Sequence, residues 1–201
     1  SLRAQTTITA ERMEIAESAV AASAEAGAGS GGQLLTHVVA AAEINGAVAR
    51  MMTNINSQIC QSTESNRFAT LFLALYEDHT RQFRYTNAGH NAPVLVRADG
   101  SIERLTTGGM MVGAFEWAKY EEAGAALAPG DLLLIFSDGI CEAENVIGEE
   151  YGEERLAQFA VEQRTLSVHE LRDAIFAEID AWSGARERGD DQTLVIVKGR
   201  A

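Results

Sequence analysis

The sequence predicts an α+β fold, and two observations support that prediction. Several short apolar segments in the middle of the chain have the composition and alternation of strands, with turn signals between them. Two segments with helical spacing follow, and one more apolar strand comes near the end of the chain. Strands in hairpin order followed by helices are typical of α+β folds, whereas βαβ folds alternate the two elements. The length of 201 residues suits one domain with an appendage.

The predicted strands begin with the near-continuous apolar run FATLFLALY, which has the composition of a strand covered on both faces. A polar turn at 77–80 leads into a returning strand, in which Phe83 and Tyr85 alternate with polar residues. Turn signals at 98–101 and 129–131 separate the strands that follow. The predicted strands cover residues 68–76, 83–85, 93–97, 102–105, 120–127, 132–137 and 193–198.

Residues 1–43 are predicted to form an N-terminal helical and linker segment. Residues 8–19 have a helical pattern, with Thr9 as the N-cap. The stretch AVAASAEAGAGSGG at 19–32 consists mainly of Ala, Gly and Ser, which is typical of a flexible linker or of a helix end that runs into glycine. A helical pattern resumes at Gln33.

The helix that begins at Gln33 is predicted to continue through Gly46, at a cost of about 1 kcal/mol relative to Ala. A third helix is predicted over 152–163, and a fourth begins at Ser167, where Ser167 and Glu170 form a capping box. The predicted apolar faces are Ile44, Val48, Met51, Met52, Ile55 and Ile59 in the second helix, Leu156, Phe159 and Ala160 in the third, and Leu171, Ile175, Ile179 and Trp182 in the fourth.

The charge balance excludes some classes of partner. The chain carries 16 Lys and Arg against 29 Asp and Glu, a formal net charge of −13, whereas non-specific binding to nucleic acid or to an anionic membrane needs basic patches. Two cysteines, Cys60 and Cys141, do not suffice for a disulfide framework or a zinc site. The sequence has no apolar run of about 18 residues and no signal peptide. We therefore expect a cytoplasmic protein without a membrane span.

Acidic side chains lie at the ends of two predicted strands. SDG at 137–139 comes directly after LLLIF, and GDDQT at 189–193 comes directly before LVIV. Carboxylates at strand ends are held on a rigid scaffold, as a metal site requires, and oxygen ligands alone favour Mg²⁺ or Mn²⁺ over Zn²⁺. The candidate ligands are Asp138 and Asp190. The alternative is that Asp138 belongs to an ordinary turn and that 190–191 is a solvated loop.

A polar loop, NAGHNAP, lies between two predicted strands and begins at Asn87. Gly89 allows a positive φ and close approach of the backbone. His90 could act as a general acid or a ligand, so Asn87, Gly89 and His90 form a candidate loop that supports the site. The alternative is that His90 only takes part in hydrogen bonds with the neighbouring backbone.

Five stretches in order resemble one family. They are RFATLFLALYED, RYTNAGHNAPVLVRADG, LAPGDLLLIFSDGICEAEN, GEERL and GDDQTLVIV, and they are similar to the PPM-type (protein phosphatase 2C-like) serine/threonine phosphatases of the SpoIIE/RsbU branch. The resemblance runs from about Ile44 to Lys198, which places a phosphatase domain at 44–201. It implies two stacked antiparallel β-sheets flanked by helices, an αββα sandwich that is incomplete at its N-terminus.

The resemblance also implies a chemistry. Such enzymes hold two Mn²⁺ or Mg²⁺ ions, and water activated by the ions attacks phosphoserine or phosphothreonine directly. Asp138 and Asp190 match the family's metal-binding and catalytic aspartates, while Gly139, Asp191 and Thr193 would support them. By analogy, the substrate is a phosphorylated anti-anti-sigma-type regulator in a bacterial stress-response or developmental signalling switch.

The sequence departs from the family in one respect. The family's domain opens with an aspartate on a strand and a Gly-Asp-Val-Ser-Gly-His-Gly segment, and this sequence contains neither. Residues 1–5 resemble the end of the helix that follows that segment. We therefore expect a half-site that holds metal weakly and a fragment that is inactive alone. The chain is either truncated or a divergent protein, and the residues encoded before Ser1 would discriminate between these.

Two other functions stay open on the sequence. A non-catalytic regulatory or binding module with the phosphatase fold would also lack part of the site. A Ca²⁺-binding β-domain is the third hypothesis, although the carboxylates are too dispersed for a loop that supplies ligands at alternate positions.

Residues 8–43 are expected to pack outside the phosphatase core and to form a homodimer contact, because an incomplete domain exposes apolar surface. The alternative is that they cover the open sheet of their own chain. The candidate contact residues are Ile15, Leu34, Leu35, Val38 and Val39.

Overall fold

A computed structural model of the protein describes residues 6–10, 21–23, 46–62, 67–186 and 189–200, with the backbone alone for 6–10 and 21–23. The strands are β1 Thr6–Ala10, β2 Ala21–Ser23, β3 Thr70–Glu77, β4 Gln82–Ala88, β5 Val94–Val96, β6 Ile102–Arg104, β7 Gly108–Gly109, β8 Ala123–Ala126, β9 Leu132–Phe136 and β10 Thr193–Lys198. The helices are α1 Ala47–Ser62, α2 Asp138–Cys141, α3 Glu153–Glu162 and α4 Val168–Ser183. The predicted α+β class, with two sheets and flanking helices, is confirmed.

The predicted elements between residues 68 and 198 are all present. Strand β10 has the predicted bounds, and the other strands differ by a few residues at their ends. The structure adds two short elements that the sequence did not indicate, the two-residue strand β7 and the four-residue helix α2. Elements this short complete no hydrophobic period, so a pattern in the sequence cannot reveal them.

The N-terminal segment differs from the prediction. Residues 6–10 form strand β1, which pairs in parallel with β10, so the predicted helix is wrong at 8–10 and Thr9 is not an N-cap. Residues 21–23 form β2, which pairs with β3, so the predicted linker is wrong there. Both strands join sheets of their own chain, so residues 8–10 and 21–23 do not pack outside those sheets as predicted. The remaining residues of 11–45, including every proposed dimer contact, lie outside the described residues.

The chain divides into two compact units. The first contains a sheet with strand order β1-β10-β9-β5-β6, together with α2, α3 and α4. Apart from the β1–β10 pair, neighbouring strands in this sheet are antiparallel. Its core joins β9 and β10 to the two longer helices through buried aliphatic and aromatic side chains. Among them are Leu132, Leu134, Phe136, Leu156, Leu171, Ile175, Ile179, Leu194 and Ile196.

The second unit contains a sheet with strand order β2-β3-β4-β7, and β8 pairs with β4. Strands β3 and β4 form an antiparallel hairpin, while β4 and β7 pair in parallel. The predicted apolar face of α1 is confirmed from Val48 onward, because Val48 and Met52 are buried in one cluster with Leu71 and Leu73 of β3. Ile44 lies outside the described residues. No helix within the described part of the chain has the length and hydropathy to cross a membrane.

A glycine directly precedes helix α1 and is not part of it. Gly46 has φ +78° and precedes the first helical residue, so the prediction that the helix continues through Gly46 is wrong. The Glu122 carboxylate accepts hydrogen bonds from the backbone N–H groups of Gly46 (2.6 Å) and Ala49 (3.0 Å). An acidic side chain here also compensates the positive end of the helix dipole. The helix is therefore capped from a distant part of the chain.

The predicted capping box of α4 is confirmed. The Ser167 hydroxyl accepts a hydrogen bond from the Glu170 N–H, and the Glu170 carboxylate accepts one from the Ser167 N–H.

We predict that Ser167→Ala lowers the free energy of unfolding by about 1 kcal/mol in urea denaturation. The control is Thr165→Ala, which changes an exposed residue outside the box and should stay within about 0.5 kcal/mol. Equal effects of the two variants would contradict the capping role.

The cap on α1 makes the stability of its unit depend on pH. Burial alone would raise the pKa of Glu122, but the hydrogen bonds from Ala49 and Gly46 and the charge of Arg84 lower it below its usual value. A lowered pKa in the folded state stabilises the fold above the pKa of the unfolded chain, and this contribution is lost as pH falls through the folded pKa.

We predict that Glu122→Gln destabilises the protein at pH 7 by about 2 kcal/mol, the range for hydrogen bonds to charged groups. The difference between the variant and the wild type should shrink as pH falls below about 4, and denaturation at a series of pH values measures it. Glu121→Gln, at the exposed neighbouring residue, is the control. A difference that grows with acidity would contradict this account.

Candidate functional site

The ends of β9 and β10 bring the two acidic segments together. These strands are antiparallel, and Phe136 at the end of β9 lies opposite Leu194 near the start of β10. The pairing continues by one more hydrogen bond, from the Ser137 N–H to the Thr193 carbonyl at 3.0 Å. Residues 137–139 therefore lie beside residues 190–193, although about fifty positions separate them in sequence. We refer to these two segments as the junction.

Asp138 is the first residue of α2 and is half-buried. Its Oδ1 accepts a hydrogen bond from the Gly139 N–H at 2.9 Å. The other residues of the helix, Gly139, Ile140 and Cys141, are buried, which fixes the turn against the core. Asp138 and Gly139 thus open a short helix rather than an ordinary turn, and this helix holds a carboxylate just after a buried strand.

Asp190 and Asp191 lie on the other side of the junction, and both are exposed. Asp190 Oδ1 accepts a hydrogen bond from the Asp191 N–H at 2.7 Å, so this carboxylate is held close to its own backbone. Thr193 is half-buried and begins β10 as predicted. The structure brings the backbones of these residues next to Gly139, while a common cation between Asp138 and Asp190 stays a prediction.

The approach of the two segments depends on Gly139. A Cβ atom added at this residue would lie 2.4 Å from the Asp191 carbonyl oxygen and 3.3 Å from the Asp190 carbonyl carbon. The first separation is too short for any side chain, so residue 139 must be glycine for the loop to come this close. The second residue of the Asp-Gly pair thus has a steric role.

Two side chains that the sequence analysis did not select also join the segments. Ser137 Oγ accepts a hydrogen bond from the Thr193 N–H (2.9 Å) and donates one to the Asp191 carbonyl (3.1 Å). Gln192 is 3% exposed, and its Nε2 donates a hydrogen bond to the Gly139 carbonyl at 3.2 Å. In the sequence, Gln192 follows two aspartates and suggests a solvated loop. Only its position directly before an apolar strand hinted at burial.

The side chains at the junction offer the ligand atoms that a hard divalent cation prefers, but too few of them lie close together to form a complete site. Asp138 and Asp190 offer carboxylate oxygens, which Mg²⁺ and Mn²⁺ prefer. Within the described residues, however, no three His, Cys, Asp or Glu side chains group closely enough to hold a metal ion. The half-site that the sequence predicts stays a prediction.

Cys141 does not add a ligand to this set. The thiol is buried, and burial, followed by the nearby charge of Glu153, raises its pKa to about 12. A thiol with this pKa stays protonated at neutral pH, whereas a cysteine nucleophile or metal ligand needs the thiolate. The junction therefore presents oxygen atoms alone among its ionised groups.

The 87–90 loop is held together by Asn87. Its side chain accepts a hydrogen bond from the His90 N–H (2.8 Å) and donates one to the His90 carbonyl (2.9 Å). Between them, Gly89 has φ +75° and lies close to the Met111 backbone. These bonds are made by the His90 backbone, so they test neither interpretation of its imidazole, and the role of His90 stays a prediction. The loop lies in the second unit, and a role for it at the junction stays a prediction.

With this geometry established, sequence comparison identifies the family. The profile of the family described as "Stage II sporulation protein E (SpoIIE)" matches residues 22–200. The chain belongs to this family, and the resemblance seen in the sequence is confirmed. The match begins at residue 22, within the segment that the sequence analysis separated from the domain, so the boundary at 43/44 stays a prediction.

Individual relatives agree with the family. The chain is 29% identical over 100 residues to "Phosphoserine phosphatase RsbU" of Bacillus subtilis, which is 48% of this chain and 30% of RsbU. It therefore spans less than a third of that curated relative.

Solved structures share the fold. The "SiaA-PP2C domain of Pseudomonas aeruginosa" has a TM-score of 0.67 at 16% identity, over 75% of this chain and 60% of that one. The phosphatase domain of SpoIIE from Bacillus subtilis, solved with a fragment of its regulatory domain, has a TM-score of 0.60 at 21% identity, over 75% and 43%. These likenesses confirm a fold of the PP2C type.

We predict that Gly139→Ala destabilises the protein by about 1–3 kcal/mol, the usual cost of forcing an extra methyl group into a packed site. The added Cβ must displace either the α2 turn or the Asp191 carbonyl. Thermal or urea denaturation measures the change. The control is Gly189→Ala in the same loop, where an added Cβ meets no atom within 4 Å. Equal stabilities of the two variants would contradict the close approach at Gly139.

Proposed function

We propose that this chain carries part of the catalytic site of a metal-dependent protein serine/threonine phosphatase. The observation that supports this most is the junction, where two short segments distant in sequence place acidic residues at the ends of adjacent buried strands. Membership of the SpoIIE family and similarity to a phosphoserine phosphatase agree with it.

In this proposal, Asp138 and Asp190 are the metal ligands and the catalytic carboxylates. Asp138 has the more rigid position, because its helix is buried behind it. Asp191 and Thr193 support the pair through the backbone that joins them to Ser137. Gly139 supports it by permitting the close approach.

Two bound divalent ions would lower the pKa of water and neutralise charge on the phosphoryl oxygens. The protein's own contribution is to hold the two carboxylates in place. The exposed Asp190–Asp191 loop leaves the site open to a phosphorylated side chain on another protein. A buried, rigid half and an exposed half suit a macromolecular substrate better than a small enclosed one.

The proposed substrate is a phosphoserine or phosphothreonine on a bacterial regulatory protein, of the anti-anti-sigma type by analogy with RsbU. A net charge of −13 makes nucleic acid an unsuitable partner. The two cysteines suit the reducing cytoplasm in which such regulators act. Homodimer formation through residues 8–43 stays a proposal for the same chain.

The test is hydrolysis of a phosphoserine peptide by the 201-residue chain in millimolar Mn²⁺, combined with thermal denaturation in the same buffer. We predict slow turnover, because no three His, Cys, Asp or Glu side chains among the described residues group closely enough to hold a metal ion. We also predict a Tm that rises with Mn²⁺ concentration. Asp138→Asn and Asp190→Asn should each lower the turnover rate at least about tenfold, because losing a ligand should cost no less than losing a group that orients one. Each should also weaken the rise of Tm with Mn²⁺.

Asp99→Asn is the matched control, since Asp99 is an exposed turn carboxylate whose hydrogen-bond partner is Ser101. It should leave turnover and the response to Mn²⁺ unchanged. Absence of both Mn²⁺-dependent hydrolysis and a Mn²⁺-dependent Tm would contradict the proposal and favour a non-catalytic module with the phosphatase fold. Rapid turnover that Asp138→Asn abolishes would contradict only the expectation that this chain has little or no activity alone.

A further inference from the structure

Gln192 is an unusual residue for its location. It is 3% exposed and directly precedes β10. Its Nε2 is hydrogen-bonded to the Gly139 carbonyl, but its Oε1 has no donor among the described residues. Burying an amide whose oxygen has no partner costs free energy. An apolar residue of the same volume would avoid that cost, so a purely space-filling role does not explain a glutamine here.

Ser137 has a similar double role. As the N-cap residue of α2, its hydroxyl would ordinarily accept a hydrogen bond from the helix, but no such bond is present. Instead the hydroxyl points across the junction, where it bonds both Asp191 and Thr193. Its extended backbone, with φ −81° and ψ 161°, continues the direction of β9.

Together these contacts join the two segments through one backbone hydrogen bond and three side-chain hydrogen bonds. The Ser137 N–H bonds Thr193, the Ser137 hydroxyl bonds both Thr193 and Asp191, and the Gln192 amide bonds Gly139. The hydrogen bonds of the Ser137 hydroxyl and the Gln192 amide depend on side chains. They link the residues that flank Asp138 to those that follow Asp190. Because both side chains are buried, water competes little for these bonds.

We propose that Ser137 and Gln192 are positioning residues that hold the Asp138 turn against the Asp190–Asp191 loop and thereby set the distance between the two carboxylates. The statement about metal rests on the proposed function, whereas the statement about holding the segments together does not. Groups that orient metal ligands typically contribute about 10–100-fold to metal affinity, and the Asp190–Asp191 side of the junction is exposed.

The first measurement is amide hydrogen exchange on the 201-residue chain without metal. Gln192→Leu keeps the volume and removes the amide, and Ser137→Ala removes the hydroxyl. Each should accelerate exchange about tenfold in residues 137–142 and 189–193 and leave β3 and β4 unchanged. Thr86→Val is the matched control, because Thr86 is a buried hydroxyl in β4 with no partner among the described residues. Unchanged exchange at the junction in both variants would overturn the proposal.

The second measurement is broadening of the Gly139 and Asp191 amide signals by Mn²⁺ in nuclear magnetic resonance spectra. The Mn²⁺ concentration for half-broadening should rise about tenfold in Gln192→Leu and Ser137→Ala. Ser137→Thr should restore the wild-type value, because threonine retains the hydroxyl and suits an extended backbone. The Tm without metal should change little in Gln192→Leu. Its weaker Mn²⁺ binding would then not come from a less stable fold.

The outcomes are distinguishable. If Mn²⁺ broadens neither signal in the wild type, the proposed metal site fails, and the exchange rates alone then decide whether the two side chains hold the segments. If the variants respond to Mn²⁺ as the wild type does, Ser137 and Gln192 do not position ligands. Failure of Ser137→Thr to restore binding would overturn the role assigned to the hydroxyl.

Discussion

The candidate site depends on one pairing, the antiparallel register between β9 and β10. Phe136 opposite Leu194 places the end of one strand beside the start of the other, and the residues just beyond the strands must then meet. Both strands are buried against α3 and α4, so a slip of one residue would turn core side chains outward. The packing of the core therefore fixes where the segments that carry Asp138 and Asp190 leave the sheet.

Polar contacts also hold together the two segments that the strand register places side by side. Gly139 allows the loop to come close, and Ser137 and Gln192 bond across the gap. Such bonds contribute little net free energy to folding, but leaving their buried partners unsatisfied would cost more. The turn that carries Asp138 is thus buried and bonded, whereas Asp190 and Asp191 are exposed. The two carboxylate-bearing segments thus differ in how firmly the surrounding structure holds them.

Most of the fold between residues 68 and 198 could be predicted from the sequence, because apolar runs, turn residues and the Ser167 capping box are local signals. The start of the chain could not. Strand β1 finds its partner in β10 and β2 in β3, and pairings over such distances leave no mark in a stretch of Ala, Ser and Thr. The start of helix α1 after Gly46 could not be predicted for a related reason, since the hydrogen-bond partner of Gly46, Glu122, lies 76 positions away. For the site, the acidic residues were visible beside strands, but Gln192 was not, since burial of a polar side chain depends on tertiary packing.

The central claim is that Asp138 and Asp190 share a cation at the end of the β9–β10 pair. The most direct test is an X-ray anomalous difference map, recorded at the Mn absorption edge, from crystals of this chain grown in Mn²⁺. The account predicts a peak within about 2.5 Å of a carboxylate oxygen of each residue, the distance range for oxygen ligands of hard cations. A peak bound by other residues, or no peak beside Asp138 in well-ordered crystals, would contradict it.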